Sequence, residues 1–521
     1  MQTKVLIIGA GPTGLMMACQ LARFGVDFII IDKKSTITDK SKALGVQART
    51  MEVYQQMGLS EAAVEQGIIG RAVNFIIGGK RIRRIDLSNI GAGISPFPYV
   101  HMLEQSKNEG LLNQFIEDKG SGVLWNTNLD SFTEAEEGVV ATLTHKDGET
   151  LTVKADWLVG ADGASSPVRK QLNMSFKGDT YEQDFFVADV QLDFQFEGPE
   201  VFICLNKNDF VVFFPMKGDR HFRAVGAVPT VLLKKADLDF ETVFQDLIPK
   251  MNLDLTLHKT RWFATYKIHH RVVANFQRGR SFLAGDAAHI HSPAGGQGMN
   301  TGLLDAYNLA WKLALVAQEK ASPKLLKSYN EERLPFAKQL VNTTDTAFET
   351  IASKNPFIRF FRLNVFPHAM KLITSFPQVR KLAFRTISQT AINYRQLSLS
   401  RNHKANFTSK APKAGDRFPY FKIKEGSTFD WLKGTAFQLF YFYTTENQPV
   451  IQQLTNYLAL AKIDIQFRSI AKNDFPSLFE DFGIKENALF IVRPDMYIGY
   501  RSGSVDLGDL EIYLEQQLCL I

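Results

Sequence analysis

Cysteine is scarce in this sequence, and so are long apolar runs and charge of one sign. The 521 residues include three cysteines, Cys19, Cys204 and Cys519, which lie far apart and form no CxxC pair. A disulfide framework or a cysteine-rich metal site is therefore not supported, and a reducing, cytoplasmic location fits best. No stretch holds about 20 uninterrupted apolar residues, so we expect no transmembrane anchor. The formal net charge of +6 is small for this length, so we expect no nucleic-acid binding.

The length and composition indicate a globular protein with several domains. Hydrophobic residues make up 45% of the chain and charged residues 22%, which is typical of a folded, soluble protein. A chain of 521 residues is too long for one ordinary hydrophobic core. We therefore expect a large nucleotide-binding body, an inserted substrate-binding part and a further C-terminal domain.

The N-terminal segment carries a complete nucleotide-binding unit. An apolar run at 4–8, typical of a buried parallel strand, leads into GAGPTG at 9–14 and then a helical pattern. Glycines in this spacing allow a tight turn and a close approach to pyrophosphate, which then faces the helix N-terminus. A second apolar run at 28–31 ends in Asp32, whose carboxylate would accept hydrogen bonds from ribose hydroxyls. The unit predicts a dinucleotide site without distinguishing FAD from NAD. Lys33 would suggest NADP, but Asp32 would repel a 2′-phosphate.

Two later segments favour a flavin. The sequence DWLVGADGASSPVRKQL at 156–172 is typical of a strand, a turn at Asp162 and a short helix. The segment at 278–314 holds a strand, a Gly-Asp pair, a glycine-rich loop and a long helix from Gly298. Asp286 would lie at the carboxyl end of its strand and accept hydrogen bonds from the ribityl hydroxyls of a flavin. The helix N-terminus would stabilise the negative charge of a reduced flavin.

Three motifs carry a family resemblance: GAGPTG at 9–14, LVGADGASSPVRK at 158–170 and LAGDAAHIHSPAGGQGMNTGLLDAYNLAWKLA at 283–314. In this order they resemble the class A flavoprotein monooxygenases, the family of para-hydroxybenzoate hydroxylase and phenol hydroxylase, and the resemblance covers nearly the whole chain. It implies an α/β fold of mixed α+β character. A Rossmann-like FAD-binding domain of the glutathione-reductase type would hold an inserted β-sheet substrate domain and precede a thioredoxin-like domain.

The resemblance also assigns the residues that would bind FAD. Asp32 would contact the adenosine ribose, Met299 with Asn300 the isoalloxazine, Gln105 the phosphate and ribityl region, and Leu129 the adenine edge. The full set is Gly9, Gly11, Pro12, Thr13, Gly14, Asp32, Lys33, Lys42, Arg49, Gln105, Leu129, Asp162, Gly285, Asp286, Gly296, Gly298, Met299 and Asn300.

Relatives usually carry arginine where this sequence has Lys42, followed by an arginine that matches Arg49. Lysine keeps the positive charge for a phosphate contact but loses the bidentate fork of arginine. Pro293 and its glycine-rich loop would line the C4a side of the flavin. We expect no catalytic side chain, because the cofactor carries the difficult chemistry.

The family implies a reaction with NADPH or NADH and O2. A flavin C4a-hydroperoxide would hydroxylate an aromatic or polyketide-like small molecule in a pocket closed to water. Two alternatives stay open, an FAD-dependent reductase or desaturase of the same fold and a non-enzymatic flavin-binding docking protein. A flavin halogenase is not favoured because the WxWxIP sequence is missing. We expect a monomer or a homodimer without integral membrane association.

Two other patterns have alternative interpretations. His289 and His291 lie close to Asp286 and Ser292 in sequence, which suggests a metal site or a catalytic triad. No third ligand is implied by the spacing and the flavin loop explains these residues, so we expect no metal. The stretch 344–395 is rich in Phe, Lys and Arg. Helices packed over the flavin domain are favoured there, with a membrane-surface helix as the alternative.

The chain divides into four predicted parts. The FAD-binding domain would comprise 1–70, 106–179 and 271–345, and the substrate-binding β-sheet domain 71–105 and 180–270. A helical segment at 346–405 would pack on the FAD domain, and 411–521 would form a thioredoxin-like domain without CxxC. Without that pair, redox work by this last domain is not expected.

Overall fold

The computed structural model describes residues 1–521 except 40, 42, 197, 208, 234, 236, 293, 294, 353, 354, 366–368, 370–374, 405 and 521. The side chains of 182, 345–352 and 362 are also outside the described set.

The strands lie, in chain order, at β1 Gln2–Ile8, β2 Phe28–Ile31, β3 Gly45–Val46, β4 Ile68–Gly70, β5 Ala72–Ile77, β6 Lys80–Asp86, β7 Val100–Met102, β8 Val123–Leu124, β9 Thr127–Ala135, β10 Gly138–His145, β11 Thr150–Gly160, β12 Phe176–Phe194, β13 Val201–Leu205, β14 Phe210–Pro215, β15 His221–Ala227, β16 Leu255–Val273, β17 Gln277–Arg278, β18 Ser281–Leu283, β19 His289–Ile290, β20 Arg401–His403, β21 Phe437–Tyr443, β22 Ile465–Ala471, β23 Ala488–Val492 and β24 Ile498–Ser502.

The α-helices lie at α1 Pro12–Arg23, α2 Ala48–Met57, α3 Ser60–Gln66, α4 Gln105–Asp118, α5 Pro167–Gln171, α6 Phe240–Met251, α7 Gly298–Ala317, α8 Lys327–Ala352, α9 Pro356–Phe360, α10 Pro377–Ile387, α11 Gln448–Ala459, α12 Pro476–Asp481 and α13 Leu507–Glu511.

The first sheet has the strand order β17-β18-β11-β1-β2-β8, and the hairpin β9-β10 continues from β11. Strand β1 pairs in parallel with β11 and β2, and β11 pairs in parallel with β18. Val5, Leu6 and Ile7 of β1 are fully buried, as expected for a continuous apolar strand covered on both faces. The carboxyl ends of β1, β2, β11 and β18 therefore share one edge, where open α/β sheets bind ligands.

The second sheet is mainly antiparallel, with the order β19-β16-β12-β15-β14-β13-β5-β6. Its strands alternate in the side chains that they bury. One face, with Phe202 and Phe213, packs on Val243 and Leu247 of α6 in a separate hydrophobic cluster. The other face packs against Leu44 and neighbouring apolar residues, beside the first domain.

The C-terminal sheet has the order β20-β24-β23-β21-β22. Strands β21 and β22 are parallel and joined by α11, β23 is antiparallel to both β21 and β24, and β20 is parallel to β24. This arrangement is thioredoxin-like, as predicted. Its centre is aromatic, because Phe440, Phe442 and Phe490 are fully buried.

The helical segment after the flavin domain exposes more apolar surface than the sequence pattern suggests. Helix α8 begins inside the predicted FAD domain and continues to Ala352. In α10, Phe384 is the one fully buried residue, and part of the segment lies outside the described residues. Phe384 belongs to the main hydrophobic core, whereas the other side chains of α10 are exposed or half-buried. Packing of the whole segment over the flavin domain stays a prediction. The predicted domain limits stay predictions, because strand pairing shows which strands share a sheet but not to which domain the connecting loops belong.

Within the described residues, no helix is long and apolar enough to cross a membrane.

Candidate functional site

The first nucleotide turn joins β1 to α1. Gly9 has a φ of +102°, and a Cβ on it would lie 2.5 Å from the carbonyl oxygen of Ala161. A Cβ on Gly14 would lie 1.8 Å from the Gly9 carbonyl oxygen. Around Gly11, by contrast, a Cβ would meet no atom within 4 Å. Helix α1 begins at Pro12 without an acidic residue in its first turn, so its open N-terminus and the space at Gly11 fit a pyrophosphate.

Asp32 follows β2 and holds this turn from the other side. Its Oδ2 accepts a hydrogen bond from the N–H of Ala10 at 2.7 Å, and its Oδ1 accepts one from the N–H of Lys34 at 2.9 Å. The residue is 9% exposed, while the neighbouring Lys33 is exposed. The carboxylate is therefore fixed beside the glycine turn, where a ribose hydroxyl would bind.

The loops after β1, β11 and β18 meet at the carboxyl edge of the first sheet. A Cβ on Gly285 would lie 2.5 Å from Oγ1 of Thr13, which shows how closely the third loop approaches the first turn. Gly285 and Ala287 are buried, whereas Asp286 between them is exposed. The structure thus brings together the glycine turn, Thr13 and the Gly285–Asp286 pair, and their contact with a flavin stays a prediction.

Arg169 joins the second and third loops and was not singled out from the sequence. Its Nη1 donates to the carbonyl oxygen of Ala287 at 2.9 Å and its Nη2 to that of Ala164 at 2.8 Å. The Oδ2 atom of Asp162 accepts from the N–H of Val168 at 3.0 Å, at the start of α5. Burial raises the pKa of the Asp162 carboxyl. The only sequence signal for Arg169 was its place inside the second motif.

The side-chain amide of Asn300 is buried, and both its oxygen and its nitrogen are hydrogen-bonded to other protein groups. Its Oδ1 accepts from the N–H of Gln47 and from Oγ1 of Thr50, both at 2.8 Å. Its Nδ2 donates to the carbonyl oxygens of Gly45 at 2.9 Å and Gly296 at 3.0 Å. The side chain therefore joins the β3 segment to the glycine-rich loop. The group of Asn300 that would bind a flavin is therefore its main-chain N–H, at the N-terminus of α7.

The N-terminus of α7 is open to a ligand. The helix starts at Gly298, has no acidic residue in its first turn, and its N-cap Gln297 makes no side-chain cap hydrogen bond. Gly296 lies just before it with a φ of +61°. Met299 accepts a hydrogen bond on its sulfur from Nδ2 of Asn108 at 3.3 Å. The free N–H groups and the positive helix end fit the anionic side of a reduced flavin ring.

The remaining predicted contacts have different positions. Gln105 begins α4, where its N–H donates to Oγ of Ser41 at 2.7 Å and its Nε2 to Oε1 of Glu109 at 2.9 Å. The Leu129 side chain is buried in the main hydrophobic core, so an adenine contact there would use the main chain. Lys42 and Pro293 lie outside the described residues.

Arg49 pairs with protein groups in this structure, and its predicted contact with the cofactor stays a prediction. Its side chain is fully buried. Nη1 donates to Oε2 of Glu52 at 3.1 Å, and Nη2 donates to the carbonyl oxygen of Asp495 at 2.7 Å. The guanidinium carbon lies 5.2 Å from the ring centroid of Tyr497. Because a buried cation must be paired, these contacts with Glu52 and Asp495 stabilise the Arg49 charge and join α2 to the C-terminal domain.

A cluster of buried charged side chains contacts the loop that follows β18. Oδ2 of Asp305, on α7, accepts from the N–H of Gly285 at 3.1 Å and contacts Nε2 of His289 at 2.7 Å. Oδ1 of Asp305 accepts from Nε of Arg333 at 2.7 Å. Sequence reasoning missed Asp305, although an aspartate inside the apolar helix LLDAYNLAW was a visible signal. His289 is thus a partner of this carboxylate.

The same cluster reaches the C-terminal domain. Glu332, next to Arg333 on α8, accepts hydrogen bonds from both Nη atoms of Arg493 at 2.5 and 3.0 Å. Lys312 donates to Glu332 at 2.8 Å, and all of these side chains are buried. Among the residues that the structure describes, no three His, Cys, Asp or Glu side chains lie close enough to hold a metal ion.

Acid is expected to weaken the fold through His291. Its Nδ1 hydrogen-bonds to the carbonyl oxygen of Ser292 at 2.7 Å, and burial, followed by the nearby His289, lowers its pKa from 6.5 to about 4. As the pH falls through this window, the unfolded chain gains a proton at His291 and the folded chain does not. Each unit of pKa difference amounts to about 1.4 kcal/mol, so His291 alone should lower the free energy of unfolding by about 2 kcal/mol between pH 7 and 5.

Urea unfolding at several pH values measures this loss. The variant His291→Gln carries no titratable ring and should show a smaller loss over the same range. An identical pH dependence in both proteins would contradict the assignment of this effect to His291.

Comparisons with known proteins identify the family of this chain. Residues 2–344 match the protein family described as FAD binding domain. A flavin-dependent monooxygenase of Mycobacteroides abscessus is 32% identical over 516 residues, 96% of this chain and 97% of that protein. Pentachlorophenol 4-monooxygenase of Sphingobium chlorophenolicum is 29% identical over 530 residues, 97% of this chain and 95% of that protein. The solved anhydrotetracycline hydroxylase of Streptomyces rimosus is 27% identical, has a TM-score of 0.76, and matches over 98% of this chain and 99% of its own.

These matches confirm the predicted fold class, the FAD cofactor and the enzyme class. The family match includes the three flavin loops and the second sheet, whereas the two full-length relatives extend the likeness through the thioredoxin-like domain. A non-enzymatic docking protein is not supported. The chain therefore belongs to the FAD-binding-domain family and is a flavoprotein monooxygenase.

Proposed function

We propose that this protein hydroxylates an aromatic small molecule, with O2 and with NADPH or NADH as the reductant. The observation that carries the proposal is the apolar face of the second sheet, which packs against Leu44. The next residue, Gly45, is hydrogen-bonded through Asn300 to the glycine-rich loop. Relatives named for pentachlorophenol and anhydrotetracycline support a ring substrate. The nicotinamide, the oligomeric state and the cytoplasmic location stay predictions.

The protein binds and orients FAD at four places. The N-terminus of α1 and the space at Gly11 would hold the pyrophosphate, Asp32 the adenosine ribose, and Asp286 the ribityl hydroxyls. The N-terminus of α7 would stabilise negative charge on the reduced ring. When bound, FAD supplies the hydride acceptance and the O2 activation that the protein side chains lack.

The substrate surface is the face of β13 and β14 that does not pack on α6. Along β14, Val211 and Phe213 are buried towards α6, whereas Val212 and Phe214 are half-buried on the other face. Val212 and Phe214 pack against the cluster that includes Leu44, which precedes Gly45. An apolar aromatic substrate between this face and the flavin loops would be shielded from water.

Arg223 joins the second sheet to the segment of Ala43 and Leu44. It is 2% exposed, and its Nε and Nη2 donate to the two carboxylate oxygens of Asp189 at 2.7 and 2.8 Å. Its Nη1 donates to the carbonyl oxygen of Ala43 at 3.2 Å. A bidentate pair of this kind holds direction as well as distance. Arg223 is therefore a positioning residue for the proposed pocket.

Oxygen uptake with NADPH or NADH, tested against phenols, quinolones and polyketide aromatics, is the experiment for this proposal. A substrate should raise nicotinamide oxidation sharply, and the product should gain one oxygen atom from labelled O2. A product that has only gained or lost hydrogen would move the protein to the reductase or desaturase class.

Replacing Phe214 by alanine should impair use of the substrate without releasing FAD. A half-buried phenyl ring contributes about 1–2 kcal/mol of apolar contact, so KM should rise about tenfold. Steady-state oxygen uptake and the absorbance of bound flavin measure the two effects. Phe467→Ala, at a similarly half-buried position on β22 of the C-terminal sheet, is the matched control. Equal changes in both variants would show that Phe214 does not line the proposed pocket.

A further inference from the structure

Apolar side chains are exposed along one segment that follows α8. Those with the largest exposed fractions include Phe357 at 82% and Leu382 at 64%. The exposed set in this segment is Phe357, Phe360, Phe361, Val365, Phe376, Leu382 and Ile387. Single exposed apolar residues need no explanation, but three on one short helix and its N-cap, Phe376, Leu382 and Ile387, mark a surface for an apolar partner.

The same segment carries positive charge and no negative charge. Between Thr350 and Ile387 the sequence contains no Asp or Glu. Its basic residues are Lys354, Arg359, Arg362, Lys371, Arg380, Lys381 and Arg385. Arg380, Lys381 and Arg385 are exposed on α10, together with Leu382 and Ile387.

Helix α10 is attached to the body of the protein on one side. Phe384 is 4% exposed, and a Cβ on Gly91 would lie 2.3 Å from its ring, so the two are in close contact. The chain directly after the helix is also fixed, because Ser388 accepts a hydrogen bond from the N–H of Arg49 at 3.2 Å. The helix thus has a firm anchor and presents basic and apolar side chains to solvent.

We propose that the aromatic-basic surface of α10 and its N-cap, formed by Phe376, Arg380, Lys381, Leu382, Arg385 and Ile387, docks on an anionic lipid membrane. Lipid phosphates pair with the arginine and lysine side chains, while the phenyl and aliphatic groups enter the boundary between headgroups and acyl chains. The protein would lie on the membrane and not cross it.

Charge favours lipid over a second copy of this chain. In a twofold symmetric dimer the same patch meets itself, so the basic side chains of one protomer would face those of its partner. Juxtaposed like charges disfavour such an interface. An anionic bilayer satisfies the positive charge and the exposed apolar groups at once.

The position of the surface also suits the enzyme. Leu363, within the same segment, packs against the cluster of Phe185 and Ile268 on the second sheet. A docked membrane would therefore lie beside the sheet that covers the proposed substrate pocket, where apolar aromatic molecules dissolved in lipid are concentrated.

Vesicle sedimentation of the FAD-loaded protein tests the proposal. The protein should sediment with vesicles in which a third of the phosphatidylcholine is replaced by phosphatidylglycerol, and weakly with phosphatidylcholine alone. Added salt should release it, because the charge attraction is screened. No binding to the anionic vesicles would overturn the proposal.

Charge-reversed variants locate the surface. Each basic residue near an anionic membrane contributes about a fivefold affinity, and glutamate adds repulsion, so the triple variant Arg380→Glu, Lys381→Glu, Arg385→Glu should bind at least about 100-fold more weakly. The control variant Lys424→Glu, Lys462→Glu, Lys485→Glu makes the same charge change at exposed positions of the C-terminal domain. An equal loss in both variants would show a nonspecific charge effect and overturn the assignment. A dimer that only the α10 variant dissociates, without vesicle binding, would assign the surface to a second copy instead.

Discussion

Replacing Gly14 by alanine is expected to abolish FAD binding and to destabilise the folded protein. The new methyl group would lie 1.8 Å from the carbonyl oxygen of Gly9, which is main chain and cannot rotate away. Gly9 itself is packed against Ala161 at the end of β11, so the turn has no room to retreat. The cost should be on the order of 4 kcal/mol or more, as for other strong steric conflicts in a core. Urea unfolding of the FAD-free protein and flavin absorbance measure the two effects.

Gly11→Ala provides the matched control within the same turn. A Cβ there meets no protein atom within 4 Å, and Gly11 does not have a positive φ. The FAD-free variant should therefore be as stable as the original protein, while FAD affinity falls because the methyl group occupies space needed by the pyrophosphate. If Gly14→Ala leaves stability unchanged, or if Gly11→Ala keeps full FAD affinity, this view of the turn is wrong.

Local sequence patterns predicted the elements that hold the nucleotide. The apolar run before Gly9, the run FIII and the helix from Gly298 were all predicted, and the structure places them at β1, β2 and α7. These patterns are informative because a glycine turn, a buried strand and a helix start depend on residues within a few positions.

Contacts between distant parts of the chain could not be predicted in this way. Arg49 was matched to a family position, yet its Nη2 donates to Asp495, 446 residues away. Asn300 was predicted at the isoalloxazine, which stays a prediction, but nothing in the sequence indicated that its side chain would bind Gly45 and Gln47. In both cases the residue type is informative about hydrogen-bonding capacity and not about the partner, which depends on how the domains pack.

The exposed α10 segment shows a second limit. Its Phe-rich sequence is compatible with a helix packed on protein or with a helix on a membrane, because both bury apolar side chains. Only the packing of Phe384 against Gly91, with Leu382 left exposed, separates the anchored side from the free one. The sequence alone therefore favoured the more common protein-packed alternative.

Replacing Asp305 by asparagine should lower both stability and FAD affinity. Although burial opposes ionisation, Arg333 and His289 hold the pKa of the Asp305 carboxyl below its ordinary value. The asparagine amide would keep the shape but leave the Arg333 guanidinium buried without its counter-charge, at a cost of about 3–5 kcal/mol. The Gly285 N–H would also lose a charged acceptor, which loosens the loop that carries Asp286.

The exposed pair of Lys4 and Asp156 is a control for this effect. Its atoms are 2.9 Å apart, but both side chains are substantially exposed, so Asp156→Asn should change the free energy of unfolding by less than about 1 kcal/mol. Urea unfolding and flavin titration of both variants separate the cases. A large effect of Asp305→Asn on flavin affinity and stability, with none for Asp156→Asn, is expected because solvent stabilises an exposed unpaired charge and cannot reach a buried one. Similar small effects in the two variants would show that the buried cluster does not support the flavin loop.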